Sequence, residues 1–425
     1  MSAMRRRDFL GSGALAAGFL TSRLCLGSAA PATRRRARFV LVILRGALDG
    51  LAAVPPLGDR DYARLRGEFA LRAPGQPQAA LPLDGFFGLH PSLRFLHSSY
   101  GARELVVFHA VASPYRERSH FDGQDVLENG TTLPHALQSG WLTRALGAAA
   151  GAGREAGVAL GQNVPLVMRG PAEVTSWSPS RLAGLDEDTL ARVTDLYARD
   201  PLLSVRLADA LAADAMVAEN SRLDAMAQEM AAATDSGAVL PTAAPAPKAV
   251  AAGADRYAEI VRAAAGFLRR EDGPQVAVFD TTGWDTHANE GAAEGQLAAR
   301  LAGLDKGLAT LREELGSAWQ DTAVLLVTEF GRTAAINGTR GTDHGTATMA
   351  FLLGGAVAGG RVIADWPGLA SRSLYQARDL APTLDLRCVL KGLLDEHLSV
   401  PARALDASVF PGSEAARPLT GLIRA

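Results

Sequence analysis

Glu329, Arg332, Asp343 and His344 stand in two short segments, Thr328-Glu329-Phe330-Gly331-Arg332 and Thr342-Asp343-His344-Gly345. The first lies directly past the apolar run Ala323 to Val327, and the second follows about a dozen residues later. A second polar pair, Asp285 and His287, occurs in Trp284-Asp285-Thr286-His287, past the apolar run Val276 to Phe279. Carboxylate oxygen and imidazole nitrogen are ligands for zinc, manganese or iron. In open α/β sheets, ligands bind outside the carboxyl ends of the strands. Two strand ends that each deliver a carboxylate and an imidazole therefore point to one polar site, with a metal as its expected occupant.

Each of these residues also has a plainer reading. Asp285 and His287 are two apart, so an extended backbone turns both to one side; alternatively Thr282 or Asp285 is the N-cap of a following helix. The planar fork of Arg332 either pairs with Glu329 or grips an oxyanion. Asp343 and His344 sit in a glycine-flanked loop where backbone can approach a ligand, or they are ordinary turn and surface residues. Asp49, in Arg45-Gly46-Ala47-Leu48-Asp49-Gly50, is taken alone a turn residue. Its place after the first apolar run makes it a further candidate metal ligand.

Arg118-Ser119-His120-Phe121-Asp122 carries two readings. In one, Ser119 is an N-cap with Asp122 completing a capping box. In the other, Ser119 is a nucleophile at a helix N-terminus, where the dipole favours an anion, and His120 is a ligand or general acid. His90, His97, His109, His135 and His397 belong to no such constellation and read as structural. There is no Gly-x-Ser-x-Gly elbow, Walker loop or Rossmann fingerprint; Gly354-Gly355 and Gly359-Gly360 form a loop.

The elements that must position these residues alternate. Continuous apolar runs at Arg38 to Leu44, Glu104 to Val111, Val276 to Phe279, Ala323 to Val327 and Met349 to Leu353 read as strands buried on both faces, with Leu166 to Met168 as a further strand. Helical patterns lie between them at Pro91 to Tyr100, Gly140 to Ala149, Ala293 to Glu314 and Leu380 to Leu394. This alternation predicts a mostly parallel sheet with helices on both faces. Residues 186–233 read as a helical insertion and the Ala/Pro/Gly-rich residues 234–253 as a flexible linker.

The 425 residues are 48% hydrophobic and 21% charged, a profile of a globular chain. With no basic surplus, nucleic acid is not an expected partner. Arg6-Arg7-Asp8-Phe9-Leu10 fits a twin-arginine signal, followed by an apolar stretch too short to span a bilayer and a small-residue cleavage region ending at Ala32. The expectation is export through the twin-arginine translocase to a periplasmic or secreted location, not integration into a membrane. Residues 33–425 then form one domain. Removing residues 1–32 leaves 39 basic against 44 acidic residues and Cys388 as the single cysteine, so no internal disulfide is expected.

With these residues assembled, the chain resembles the bacterial domain-of-unknown-function family 1501, which is exported by the twin-arginine route. The resemblance rests on Leu44 to Gly50, Gly88-Leu89-His90-Pro91, Arg118 to Asp122, Gly283 to His287, Thr328 to Arg332, Gly341 to Gly345 and Asp379-Leu380-Ala381-Pro382-Thr383. That family is grouped with the alkaline phosphatase and sulfatase superfamily. The resemblance implies a three-layer α/β/α sandwich with a mostly parallel sheet and a divalent metal site of one or two ions (zinc, manganese, calcium or magnesium). By this likeness Asp49 resembles the metal-holding Asp after the first strand, Ser119 lies roughly where a nucleophilic Ser or Thr is expected, and Asp285, His287 and His344 resemble metal ligands. Glu329 falls where an Asp-His doublet sits, but its second member here is Phe330, which cannot bind metal. A two-metal site then lacks a ligand unless His120 or Asp343 substitutes. No Cys-x-Pro-x-Arg occurs, which argues against formylglycine chemistry.

The function expected is hydrolysis of phosphate or sulfate esters, including small anionic or polysaccharide-type substrates. Ser119 would attack, Arg118 or Arg332 would hold nonbridging oxygens, and Asp49, Asp285, His287, Glu329, Asp343 and His344 would hold metal. The alternative is a non-catalytic secreted binding or assembly protein on the same scaffold. No cysteine cluster or haem motif supports an oxidoreductase.

Overall fold

The computed structural model describes residues 36–149, 156–179 and 248–424, with parts of 192–211. In chain order the main elements are β1 (Arg38–Arg45), α1 (Gly50–Ala53), α2 (Tyr62–Arg66), β2 (Leu81–Pro82), β3 (Gly88–Leu89), α3 (Arg94–Gly101), β4 (Leu105–Ala112), α4 (His120–Asn129) and α5 (Trp141–Ala148). They continue with β5 (Gly157–Leu160), β6 (Val174–Trp177), α6 (Lys248–Arg269), β7 (Val276–Thr282), α7 (Gln296–Leu315), β8 (Thr322–Val327), β9 (Thr348–Leu353), β10 (Arg361–Ile363), β11 (Leu384–Asp385) and α8 (Leu386–Leu398).

The central sheet runs β10-β4-β9-β8-β1-β7-β5-β6, with β11 beside β4. Every pairing in it is parallel except the two made by β9. Alternate residues of the inner strands feed two separate cores. Val40, Val42 and Leu44 join Ala277, Phe279, Val324 and Leu326 against the helices that carry Leu96, Ala264, Leu268, Leu301 and Leu308. Phe39, Leu41 and Ile43 join Val276, Val278, Ala323 and Leu325 against Trp141, Leu142, Val389, Leu393 and Leu394. This is the expected three-layer α/β/α sandwich. A strand buried on both faces cannot alternate in polarity, which is why these strands appear in the sequence as unbroken apolar runs.

The direction of β9 matters for the site. β9 is antiparallel to β8, so it starts at the edge where β1, β7 and β8 end. Asp343 and His344 precede β9, yet they reach the same rim as the residues that follow β7 and β8. The sequence alone reads them as a loop beyond a strand end, without their being the lead-in to a reversed strand.

Other elements differ from expectation. Leu166–Met168 is a 3-10 turn, not a strand, with Val167 and Met168 buried beneath α5. The parallel strands β5 and β6 were not anticipated. The helix in the last third starts at Leu386, not Leu380, because Asp385 caps it by accepting from the Arg387 N–H at 2.8 Å. Residues 248–253, read as linker, belong to the 22-residue α6. The rest of that linker and the export segment 1–32 lie outside the described residues. The described parts of 192–211, within the expected insertion, are helical apart from Asp200. No helix among the described residues is long and apolar enough to cross a membrane.

The turn after β1 is built tightly against the loop after β7. Gly46 has φ +114°, and a Cβ there would lie 2.7 Å from the Asp285 N atom. Gly46→Ala is therefore expected to lose about 1–3 kcal/mol of stability through strain and overlap. Gly303, in the middle of α7 with nothing within 4 Å of its missing Cβ, should behave oppositely. Gly303→Ala is expected to gain about 0.5–1 kcal/mol. Denaturant unfolding of the two variants checks both signs.

Candidate metal centre

Three loops and one helix start meet above the carboxyl ends of the inner strands. The loop after β7 carries Asp285 and His287, the loop after β8 carries Glu329, Phe330 and Arg332, the lead-in to β9 carries Asp343 and His344, and α4 begins at His120. His120, Asp285 and His344 each offer a ligand atom, and these atoms all lie within 4.8 Å of one another.

The imidazoles are held from behind. His120 Nδ1 is 2.7 Å from Glu329 Oε1. His344 Nδ1 is 2.9 Å from the Arg118 carbonyl, and His287 Nδ1 is 3.4 Å from Asp343 Oδ1. A carbonyl or carboxylate can only accept, so each contact places the proton on Nδ1 and leaves the Nε2 lone pair pointing inward. The three Nε2 atoms converge on Asp285: 3.4 Å from His120 to Oδ2, and 3.2 Å from His344 and 3.0 Å from His287 to Oδ1. His287 and His344 bring their Nε2 atoms within 3.0 Å of each other. Such orienting of imidazoles by outer acceptors is the usual support of a metal-binding histidine.

One atom tests whether a metal fits. His120 Nε2 is buried and has no hydrogen-bond partner. A buried polar atom with no partner costs free energy, and a cation held with Asp285 and His344 would satisfy it. Imidazole nitrogens with a carboxylate oxygen form a donor set suited to zinc, manganese or iron.

Charge is distributed around this arrangement. Burial alone would raise Asp285, but the Arg332 guanidinium and the nearby imidazoles hold its carboxyl below the usual range. The hydrogen bond to Glu329 raises His120 above the ordinary histidine value against the effect of burial. Burial lowers His344, helped by its proximity to His120. Burial would raise Glu329 as well, but the hydrogen bond from His120 and those from Gly46 and Gln124 keep it ionised.

The residues expected at the site take different positions. Asp285, His287 and His344 face inward, and His120 joins them. The helix-start reading of Asp285 fails, because α7 begins only at Gln296. Glu329, expected as a ligand, is a fully buried outer carboxylate. Its Oε1 accepts from Gly46 N at 2.8 Å, Gln124 Nε2 at 3.2 Å and His120, and its Oε2 accepts from the Thr328 hydroxyl at 3.0 Å. Asp343 also stands behind a histidine, and the Asn337 amide, donating at 3.0 Å, holds it below the ordinary range.

Asp49 stands outside the cluster. Its Oδ1 caps α1 by accepting from Leu51 and Ala52, and its Oδ2 pairs with Arg66. Arg66 also lies 3.7 Å from Glu290, and all three side chains are buried. A guanidinium thus stands between these two carboxylates, closest to Asp49. Burial and the nearby charge of Asp49 push Glu290 up to about 8; Arg66 overcomes burial to keep Asp49 low. Neither Arg66 nor Glu290 appears in the sequence reading. A carboxylate three residues beyond His287 was the available signal for Glu290, and none pointed to Arg66.

Arg332 is fully buried and does not face a ligand. It donates to the carbonyls of Ala47 (2.9 Å), Thr342 (3.1 Å) and Trp284 (3.2 Å) and to Asp285 Oδ1 (2.7 Å). Arg118 is largely occupied by Asp379 (2.8 Å) and Gln376 (2.6 Å). Ser119 is the N-cap residue of α4 but its side chain makes no capping bond, so the capping-box reading does not hold. Phe330 is buried with Ala47, Tyr115 and Val126 and stacks on His120 at 5.1 Å. The position that lacks a histidine in sequence is thus a platform under His120, which arrives from α4. The five remaining histidines are outside the cluster; His90, His97, His109 and His397 each reach a backbone carbonyl, and His135 lies beside Asp122 and Asp125.

No curated protein matches the chain. Among solved structures, Ps i-CgsB in complex with k-i-k-neocarrahexaose is similar at 10% identity, covering 90% of this chain and 77% of that one with a TM-score of 0.38. The phosphonate monoester hydrolase of Agrobacterium radiobacter is similar at 12% identity, covering 77% and 70% with a TM-score of 0.30. Likenesses at this level leave the chemistry to be argued from the side chains. Residues 102–409 match the family described as "Protein of unknown function (DUF1501)". That match spans most of the chain, and the protein belongs to the DUF1501 family.

Proposed function

We propose that this protein is a metal-dependent hydrolase of phosphate or sulfate esters, exported through the twin-arginine route. The observation that carries the reading is the buried, unpartnered His120 Nε2 aimed at Asp285 in a ring of imidazoles whose outer nitrogens are already engaged. His120, Asp285 and His344 would hold the ion, with His287 beside them. The donor set favours zinc, manganese or iron over calcium or magnesium, which prefer all-oxygen surroundings. A bound divalent cation would act as a Lewis acid toward an ester oxygen and lower the pKa of a coordinated hydroxyl or water.

The protein's own groups divide the remaining work. Ser119 directly precedes His120 at the N-terminus of α4, where the helix dipole favours negative charge. It is the nucleophile of this reading. Arg118, at the rim beside Ser119 and His344, would meet a nonbridging oxygen by exchanging its contacts with Asp379 and Gln376; burial removes Arg332 from that role. Glu329 and the Arg118 carbonyl keep His120 and His344 in the tautomer that presents Nε2. Phe330, which in sequence favours a catalytically silent scaffold, instead supports a ligand.

Metal analysis of purified mature protein should find a stoichiometric divalent metal. His120→Ala and His344→Ala should each lower metal affinity by about tenfold or more. Protein that binds no divalent metal sinks the hydrolase reading. Ser119→Ala should keep the metal and lose about a thousandfold or more in turnover of an aryl phosphate, phosphodiester or sulfate. Unchanged activity in that variant would make Ser119 a structural residue. Retained metal with no turnover of any such ester by the natural protein would favour a secreted binding protein.

A further inference from the structure

We propose that Glu290 is a positioning residue for the metal centre, clamping together the two loops that carry its ligands. The proposal rests on the metal-centre reading above. Glu290 Oε2 accepts from the Thr286 hydroxyl at 3.0 Å and from the Thr342 hydroxyl at 2.7 Å. Thr286 lies between Asp285 and His287, and Thr342 directly precedes Asp343 and His344. One carboxylate oxygen therefore joins the loop after β7 to the lead-in of β9 at the residues flanking four polar groups of the site.

The backbone around this oxygen is joined in the same sense. Thr342 N donates to Thr286 O at 3.1 Å, Glu290 N to Arg340 O at 2.9 Å and Asn289 N to Thr339 O at 3.1 Å. Gly341 makes the approach possible, since a Cβ there would fall 2.3 Å from the His287 carbonyl carbon. Glu290 is itself anchored. It is fully buried, and its Oε1 faces Arg66, which in turn pairs with Asp49, the N-cap of α1 in the turn after β1. The clamp thus refers both ligand loops to the central strand of the sheet. Two ligands on separate loops bind one ion only if their spacing is held to a fraction of an ångström. Glu290 reaches no ligand atom and acts through the two threonines.

Zinc titration by calorimetry, alongside the thermal midpoint of the metal-free protein, tests this. Thr286→Val and Thr342→Val each remove one hydroxyl at nearly constant volume, and each is expected to weaken zinc binding by about tenfold while leaving the metal-free midpoint nearly unchanged. The double variant should lose less than the product of the two single losses, because both hydroxyls serve one oxygen. Glu290→Ala should lose at least as much as either single variant. Glu290→Gln, whose amide oxygen still accepts from both threonines, should bind zinc within about threefold of the natural protein, the amide replacing one acceptor of equal shape. Zinc affinity unchanged in both threonine variants overturns the clamp while leaving the metal centre standing. A natural protein that binds no zinc or other divalent ion overturns the metal centre, and the clamp with it.

Discussion

A guanidinium excluded from water must find an acceptor for nearly every N–H it carries, and Arg332 finds its acceptors on three different parts of the chain. Ala47 belongs to the turn after β1, Trp284 and Asp285 to the loop after β7, and Thr342 to the lead-in of β9. Three loops that share no sequence neighbourhood are thereby fixed to one planar group. The same group neutralises Asp285, the carboxylate on which the imidazoles converge. Without that charge, Asp285 would have only the imidazoles to offset it, and the loops would lose their common reference. The structure spends its best cation on holding the site together, which is why Arg332 is not available to a substrate.

Around this cross-link the polar residues form two ranks. The inner rank is His120, Asp285, His287 and His344. The outer rank is Glu329, Asp343 and the Arg118 carbonyl, each behind one imidazole. This ordering matters because a histidine can present a lone pair only when its proton is committed elsewhere. An ionised carboxylate such as Glu329 does more as the fixed partner of His120 than it would as one more ligand in a crowded centre. Asp49, Arg66 and Glu290 form a separate buried group in which one guanidinium meets two carboxylates, and Glu290 is pushed up to about 8. Its contribution is to anchor the clamp, not to hold an ion.

Much of the fold was legible because doubly buried strands leave an unbroken apolar signature, as in Phe39 to Leu44 and Ala323 to Val327. β5 and β6 escaped because four residues such as Gly157-Val158-Ala159-Leu160 carry too little pattern to separate from a loop. Leu166–Met168 misled for the converse reason: a short apolar run is equally at home in a buried 3-10 turn. α6 was missed altogether: its start lies in the Ala/Gly/Pro-rich stretch read as linker, and the residues that follow were assigned to no element. At the site, residue types and strand ends were sufficient to gather Asp285, His287, His344, Glu329 and Asp343. Which of them face inward was not legible, since that depends on partners far away in sequence, such as Arg66 with Asp49 and His120 with Glu329. The reversal of β9, which brings His344 to the rim, also has no local signal.

The central claim is that His120, Asp285 and His344 bound the ion, with Glu329 and Asp49 standing back from it. Anomalous diffraction at the zinc edge from crystals of the mature protein grown with zinc tests this directly. The account predicts an anomalous peak enclosed by His120 Nε2, His344 Nε2 and the Asp285 carboxylate. A peak between Asp49 and Glu290 with none at the three predicted ligands, or no peak in this region at all, would contradict it.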